Sequence, residues 1–316
     1  MIQFRPFRNS DPPLIAELWR NQPSQRGLMQ PMSPALLEQL VLSRPMFDRE
    51  GLILALGDHR ALGFVHAGFG PNEEGSAPSA SLGFASMVMV HGSEQESALS
   101  ADLLARGEEY LRTRGTKQIY AGGLDFLAPF YLGLYGGSQL SGILRSDPAR
   151  DTLFRTQGYT EAGRTLVLQR DLATFRPTVD RRQLQLRRRA LIQAAPDPPP
   201  RNWWQACAMS EFTRVRFDLQ PETGGEIAAC VTFWNMEPLS ITWGVHAAGL
   251  LELDVLPQWR RQGIATFLLG EAFRQLHAQG ISLLEAHVKE SNAEARQLFD
   301  ALGFEEVDQA TSYRKE

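Results

Sequence analysis

The spacing of hydrophobic residues predicts a helix followed by a strand at two places in the chain. Residues 103–115 and 268–280 carry apolar residues at helical intervals, and each segment ends in a glycine. A glycine directly after a helix is typical because the chain there adopts a positive φ. Strand-like segments follow at 117–120 and 282–285.

These helix–strand pairs belong to a repeat that covers most of the chain. Gly115 and Gly280 lie 165 residues apart, and the similar segments 153–159 and 298–304 follow at an offset of 145. The first half also holds an extra segment rich in glycine and aromatic residues, 122–146. A repeat of this length indicates two copies of one domain. We therefore predict an α/β architecture of two α+β domains, each with a mixed sheet.

The boundary between the two domains is expected near residue 175. A strand-like segment at 165–170 ends before it, and a proline cluster, 197–200, follows in the second half. We divide the chain into residues 1–175 and 176–316. An aromatic segment, 202–207, is a further helix candidate.

A basic stretch, 181–189, lies just after this boundary. Its leucines, Leu184 and Leu186, alternate with polar residues, which is the period of a half-buried strand. The alternation favours a strand with a solvated basic face over an arm that binds nucleic acid.

Composition and charge are those of an ordinary globular protein. The chain has 316 residues, of which 43% are hydrophobic, and a net charge of −4, which argues against a whole-molecule surface for nucleic acid. It contains no apolar run of membrane-spanning length and no signal-like start, so we expect a cytoplasmic protein. Its two cysteines, Cys207 and Cys230, form no CxxC motif, so we expect free thiols and no metal site.

The segment with recognisable chemistry runs from Leu250 to Leu269. It predicts an apolar strand, a turn at Pro257, a loop rich in Arg, Gln and Gly, and a long helix. Such a loop brings backbone N–H groups and a helix N-terminus together, which is a common arrangement for binding phosphate. Gly263 and Ala265 keep the approach to the backbone open.

The loop residues Arg260-Arg-Gln-Gly263-Ile-Ala265 resemble the pyrophosphate loop, Gln/Arg-x-x-Gly-x-Gly/Ala, of the GNAT superfamily of acyl-CoA-dependent N-acyltransferases. The later segment 292–304, an asparagine followed by a helix that ends in Gly-Phe, is similar to the last element of that family. Together with the repeat, the resemblance extends over nearly the whole chain. The tandem arrangement is similar to that of the mycothiol synthases.

The resemblance implies a site for acetyl-CoA in the second domain. The Val255 amide would polarise the thioester carbonyl, Asn292 would approach the pantetheine arm, and Phe299 would lie near the sulfur. The pyrophosphate would be held by Arg260 and Arg261 and by the backbone of Gln262, Gly263, Ile264, Ala265 and Thr266. Other roles stay open for three of these residues, since Val255 and Phe299 suit a core and Asn292 suits a helix N-cap.

The acid and the base are not fixed by the resemblance. Phe299 stands where many members carry a tyrosine that protonates the departing thiolate. Because a thiol has a pKa near 8.5, its thiolate is a tolerable leaving group even without an acid. Glu252 and Asp254 are base candidates that share one strand face. His287, on the next strand, is a further base candidate, because an imidazole ordinarily titrates near neutral pH. An ordinary strand histidine remains the alternative.

The first domain keeps the fold pattern but loses the loop. In the segment equivalent to the phosphate loop, Ala98 replaces the glycine, both arginines are missing, and Glu94 and Glu96 would repel a pyrophosphate. Asp147 replaces the asparagine. We predict that this domain is degenerate and serves as a scaffold or shapes the substrate cleft.

These features predict an acetyl-CoA-dependent N-acetyltransferase in which an amine of a small molecule or peptide attacks the thioester directly. The alternative is a non-catalytic acyl-CoA-binding or protein-interaction module. We expect no metal, nucleic-acid or membrane partner, and a monomer with internal pseudo-dimeric symmetry or a homodimer.

Overall fold

A computed structural model of the chain describes residues 2–58, 60–92, 96–177, 180–222 and 224–316. These residues form two compact units. Unit 1 comprises Met1–Thr165, Pro200–Glu211 and Asp308–Glu316, and unit 2 comprises Leu166–Pro199 and Phe212–Val307. The expected boundary near residue 175 thus lies inside unit 2, and the C-terminal residues belong to unit 1.

The strands and helices alternate along both halves of the chain. In chain order they are β1 (Gln3–Pro6), α1 (Pro12–Arg20), α2 (Pro34–Leu37), β2 (Leu52–Gly57), β3 (Arg60–Pro71), β4 (Pro78–Val90), α3 (Glu96–Thr113), β5 (Gln118–Ala121), β6 (Ile143–Leu144), α4 (Pro148–Thr156), β7 (Thr160–Asp171), α5 (Arg181–Arg187), β8 (Ala190–Pro196), α6 (Trp203–Met209), β9 (Arg214–Pro221), β10 (Ala229–Asn235), α7 (Glu237–Trp243), β11 (Ala247–Val255), α8 (Ile264–Ala278), β12 (Leu283–Lys289), α9 (Ala293–Ala301) and β13 (Glu305–Lys315).

Unit 1 is a mixed sheet in the order β1-β2-β3-β4-β5-β13, with α3 packed on one face. Val65 of β3 faces α3, so its neighbour His66 points to the other face. There the extra segment 122–146 covers the sheet: Phe130 stacks on the His66 ring at 4.2 Å, and the Tyr131 hydroxyl lies 2.9 Å from its Nδ1. Burial lowers the pKa of His66 to about 3, so this histidine is neutral.

The C-terminal strand completes unit 1. In β13, Tyr313 pairs with Ala121 of β5, antiparallel. The Tyr313 ring is buried, and its hydroxyl donates to Asp151 at 2.5 Å and accepts from Arg155 Nε at 2.7 Å. The first half of the sequence therefore needs these last residues to finish its sheet.

Unit 2 has the strand order β7-β12-β11-β10-β9-β8. Helix α8 packs on one face of this sheet through an apolar stripe that includes Leu268, Leu269 and Phe273, all fully buried. Alternate residues of the strands, such as Val231 and Phe217, meet this helix. The face opposite α8 is consequently lined by the intervening, mostly polar residues.

The repeat predicted from the sequence is confirmed at its helices. The segments 103–115 and 268–280 form α3 and α8, and the glycines that follow, Gly115 and Gly280, have φ of +92° and +93°. The candidate helix after Asn202 is also present as α6, with the Asn202 side chain accepting a hydrogen bond from the Gln205 N–H. This helix is part of unit 1.

The strand predicted for the basic stretch 181–189 is wrong. Residues Arg181–Arg187 form α5, with Asp180 as its N-cap, accepting from the Gln183 N–H at 2.7 Å. Leu184 is 50% exposed, and only Leu186 packs against the core. The two leucines therefore do not share a buried face, and the local capping interaction outweighs their alternation.

None of the described helices combines the length and apolar character that a membrane crossing requires.

The role of β13 gives a test of unit 1. Tyr313→Ala removes a buried ring and both hydroxyl contacts, so it should lower the free energy of unfolding of unit 1 by about 3–5 kcal/mol. Hydrogen exchange of α3 would then become faster while that of α8 stays unchanged. Glu305→Ala, at an exposed position of the same strand, is the control. Unchanged exchange of α3 in the tyrosine variant would contradict the assignment.

Candidate functional site

The site begins where two parallel strands of unit 2 separate. Strand β11 pairs with β12 from Ala247↔Leu283 to Gly249↔Glu285. Beyond this pair, β11 continues to Val255 along its other neighbour, β10. A gap between two parallel strands therefore opens toward the C-terminal end of β11.

Hydrogen-bond alternation places the Val255 amide in this gap. Val255 lies opposite Ala229 of β10, and the next residue, Leu256, donates its N–H to the Ala228 carbonyl at 3.0 Å. In an antiparallel pair the hydrogen-bonded and non-hydrogen-bonded residues alternate, so the N–H and C=O of Val255 point away from β10. The Val255 carbonyl accepts from Arg260 Nε at 2.9 Å.

The loop that follows β11 has two residues in the left-handed conformation. Arg261 has a φ of +59° and Gly263 a φ of +78°. For Arg261 this conformation costs about 1–3 kcal/mol, a strain typical of functional loops. Gly263 is the N-cap of α8, and no side chain caps the helix. The first N–H groups of α8 are therefore directed at the space in front of the loop.

A cavity of about 600 Å³ lies in front of this loop. It brings together most of the predicted cosubstrate-binding residues: Val255, Arg260, Arg261, Gly263, Ile264, Ala265, Thr266 and Asn292. The Gln262 side chain bonds to the Gln258 carbonyl at 2.9 Å, so this residue can take part through its backbone. The Asn292 side chain caps α9 by accepting from the Ala295 N–H at 3.0 Å.

Phe299 lies in the core of unit 2. It is 3% exposed, and its ring packs edge-on against Phe304 at 5.0 Å. The α9 residues that line the cavity include Ala295 and Leu298. The core role that the sequence left open for Phe299 is therefore the one seen here, and its place beside a thioester sulfur remains a prediction.

Glu252 and Asp254 project from the face opposite α8. Their neighbours Leu253 and Val255 pack against the α8 core, so the two carboxylates point to the other side of the sheet. Glu252 is half-buried and Asp254 is exposed. The two carboxylates therefore do not point into the core that α8 covers.

Cys230 lies beside these carboxylates, which the sequence did not suggest. It pairs with Asp254 across β10 and β11, and with Asp218 across β10 and β9. Burial raises the pKa of the Cys230 thiol, and the carboxylates of Asp218, Asp254 and Glu252 raise it further against the opposing effect of Arg216. A thiol held in its neutral form is a poor nucleophile.

His287 forms a buried pair with Glu285. Its Nε2 lies 3.3 Å from Glu285 Oε1, and the side chains of both residues are 0% exposed. Gln169 Nε2 donates to the other carboxylate oxygen at 2.9 Å. His287 lies on β12 just beyond the last residue paired with β11, but its ring is not open to solvent.

Unit 1 has the same strand separation, and side chains bond to carbonyl groups that the separation frees. Strand β4 pairs with β5 only from Leu82 to Ala85. Beyond it, the Val88 carbonyl accepts from Arg150 Nε at 2.9 Å and the Val90 carbonyl accepts from Gln22 Nε2 at 3.0 Å. Arg150 is buried and forms an ion pair with Asp147 at 2.6 Å.

A cavity of about 830 Å³ lies at this separation in unit 1, lined by Val88, Val90, Gln22 and Arg150 and also by Ala98 and Ser100. Glu94 lies outside the described residues, as does the side chain of Glu96, so the repulsion predicted for them remains a prediction.

Arg182 is a cavity residue that was not predicted from the sequence. Arg182 of α5 lines the same cavity as Arg260 and Arg261. The signal for it was the pair Asp180 and Gln183, whose spacing is that of a helix N-terminus. Among the described residues, no group of three or more His, Cys, Asp or Glu side chains is arranged to hold a metal ion.

Part of the chain, including the site, is similar to a known family. Residues 182–304 match the model of the acetyltransferase (GNAT) family. Over 66 residues the chain is 39% identical to an enzyme from Haemophilus ducreyi described as ribosomal protein bS18-alanine N-acetyltransferase. The match covers 21% of this chain and about half, 46%, of that relative.

Solved structures resemble the whole chain. A tandem GNAT protein from the clavulanic acid biosynthesis pathway has a TM-score of 0.68 at 14% identity, over 100% of this chain and 98% of that one. A GCN5-related N-acetyltransferase from Sphaerobacter thermophilus has a TM-score of 0.63 at 16% identity, over 100% and 95%. At these identities the likeness concerns the fold, which is that of two tandem domains.

The environment of Cys230 gives a test of its reactivity. In a Cys207→Ser background, Asp254→Asn removes a negative charge about 5 Å away and should lower the Cys230 pKa. Reaction with a colorimetric disulfide reagent near pH 8 should become about two- to fivefold faster. Asp300→Asn, at an exposed carboxylate of α9, should leave the rate unchanged. A slower reaction in the Asp254 variant would contradict this electrostatic account.

Proposed function

Residues 182–304 match the model of the acetyltransferase (GNAT) family, and from this match we propose that the chain is an acetyl-CoA-dependent N-acetyltransferase. Unit 2 carries the reaction in this proposal, and unit 1 is a scaffold or shapes the substrate cleft. The amine belongs to a small molecule or a peptide.

The observation that carries the proposal is the strand separation next to the phosphate loop. The Val255 amide points into the gap, and the N-terminus of α8 lies at the end of the same cavity. An acyl-CoA has the matching groups, a thioester at one end and phosphates at the other. The cavity offers cationic and N–H groups for the phosphates, and the small Gly263 and Ala265 leave the loop backbone accessible.

Acetyl-CoA supplies the acetyl thioester in this reaction. The Val255 N–H would donate to the thioester carbonyl oxygen and stabilise the negative charge that develops there. The loop amides and Arg261 would hold the phosphates and so fix the position of the reacting group. The raised pKa of the Cys230 thiol, caused by burial and the neighbouring carboxylates, favours direct transfer to the amine over a covalent enzyme intermediate.

Glu252 is our first candidate for the base. Its carboxylate is half-buried and projects from the strand that carries Val255, on the face away from α8. From there it would accept the ammonium proton, directly or through a water. His287 is the second candidate, but its buried ring would have to become accessible before it could accept a proton.

The alternative of a non-catalytic acyl-CoA-binding module has one observation in its favour. Phe299 has no hydroxyl to protonate a thiolate, and its ring is packed in the core. Binding of CoA fits both functions, so it cannot separate them. Release of free CoA from acetyl-CoA in the presence of a panel of amines does separate them: amine-dependent release supports the enzyme, and its absence across small-molecule and peptide amines supports the module.

The contrast between the two units predicts one cosubstrate site per chain. Calorimetry should give one acetyl-CoA per chain, and Gly263→Glu should abolish binding by placing a carboxylate and a strained residue in the loop. Ala98→Glu, the matched change beside the unit 1 cavity, should leave the affinity unchanged. Two equivalent sites, or binding that survives in a folded Gly263→Glu variant, would show that unit 1 binds the cosubstrate.

The base can be identified by substitution. Glu252→Gln should lower kcat by about 10²–10⁴-fold and leave the affinity for acetyl-CoA unchanged. Asp254→Asn, on the same strand face, is the comparison. If His287 is the base, His287→Ala has this effect instead, and the acid limb of the kcat/KM profile is lost. Full activity in all three variants would mean that the amine arrives neutral or loses its proton to solvent, and that positioning and the Val255 amide alone accelerate the reaction.

A further inference from the structure

Helix α5 is docked against the start of α8 by residues at helical spacing. Gln183 Nε2 donates to the Gly263 carbonyl at 3.4 Å, and Arg187 forms an ion pair with Glu271 at 3.4 Å. Between them, Leu186 packs against the core of unit 2. Residues three and four positions apart lie on one helix face, so these three contacts fix the orientation of α5.

This orientation brings Arg182 to the phosphate loop. A Cβ atom added at Gly263 would lie 2.9 Å from Arg182 Cδ, so the arginine stem passes directly over the N-cap of α8. Arg182 lines the cavity together with Arg260 and Arg261. Its side chain is exposed, and no hydrogen bond or ion pair joins its guanidinium to a described residue.

The side chains around the cavity carry more positive than negative charges, which favours binding of a polyanion. Three arginines line it, against two carboxylates, Asp254 and Glu294. Arg260 already donates through Nε to the Val255 carbonyl, whereas Arg182 reaches the loop from a different element, α5, next to Gly263. Guanidinium groups form strong paired hydrogen bonds with phosphate.

We propose that α5 is part of the cosubstrate site and that Arg182 binds a phosphate group of CoA. This inference rests on the proposed function, because it assumes that the cavity takes CoA. Arg182 is then a specificity-determining residue: it favours a donor that carries the phosphorylated nucleotide over one that offers the pantetheine arm alone. Two phosphate groups of CoA have the required chemistry, the pyrophosphate and the 3′-phosphate.

The test compares three ligands and two single substitutions in the full chain. Calorimetry measures Kd for CoA, dephospho-CoA and pantetheine with the wild type, Arg182→Ala and Arg188→Ala. Arg188 is an exposed residue at the C-cap of the same helix, so its substitution removes an equal charge from α5. Thermal unfolding confirms that each variant is folded.

Arg182→Ala should weaken CoA binding about fivefold to fiftyfold, and Arg188→Ala less than twofold. If the affected group is the 3′-phosphate, dephospho-CoA binds equally to the wild type and to Arg182→Ala. If it is the pyrophosphate, the substitution weakens both nucleotides. Pantetheine affinity is unchanged in either case.

The outcomes distinguish a failure of the proposed function from a failure of the Arg182 assignment. A wild-type protein that does not bind CoA overturns the proposed function together with this inference. A wild type that binds CoA while Arg182→Ala binds it equally well, or while Arg188→Ala weakens it as strongly, overturns the inference alone. Weakened pantetheine binding in Arg182→Ala would assign the residue a structural role and would also overturn it.

Discussion

The site depends on one constraint of the polypeptide backbone: every N–H and C=O group needs a partner. When β11 separates from β12 after Gly249, the residues that follow lose their ladder partners on that side. The Val255 carbonyl is satisfied by the Arg260 side chain from the adjoining loop. The Val255 amide points into a cavity that also receives the first N–H groups of α8, so the fold itself supplies a row of donors for a ligand with acceptor groups at both ends.

Unit 1 meets the same constraint with side chains of its own. Arg150 and Gln22 donate to the carbonyls of Val88 and Val90, as Arg260 donates to the Val255 carbonyl in unit 2. Burying a guanidinium requires a countercharge, and Asp147 provides it. Asp147 stands where unit 2 has Asn292, so one exchange of an amide for a carboxylate accompanies the buried arginine. The difference between the units thus extends beyond the lost loop residues.

The sequence predicted the parts of the fold whose signals are local. Helices α3 and α8 ended at the expected glycines, and the loop around Gly263 could be found because its residue types follow from the need for positive φ and close approach. The strand prediction for 181–189 was wrong because two alternating leucines give the pattern of a strand over only a short range. The capping interaction between Asp180 and Gln183 favours a helix there instead.

The environment of the base candidates could not be predicted, for a different reason. The alternation of Glu252, Leu253, Asp254 and Val255 shows that the carboxylates share a face, but which face meets α8 depends on tertiary packing. The register of β10 and β11 also shifts between Thr232, which pairs with Glu252, and Phe233, which pairs with Leu250, so Leu251 is an extra residue in β11. Non-local pairing of this kind brings Cys230 next to Asp254, a contact that no spacing along the chain encodes.

The charges of unit 2 divide along β11. The loop end of the cavity carries Arg182, Arg260 and Arg261, whereas the strand face opposite α8 carries Glu252 and Asp254. In the proposed reaction an anionic donor and a cationic amine would therefore be attracted to different parts of the same strand. Burial raises the pKa of the neighbouring Cys230 thiol, and these carboxylates raise it further. One arrangement would thus favour approach of the amine and disfavour a competing thiolate, which is the combination that the proposed direct transfer requires.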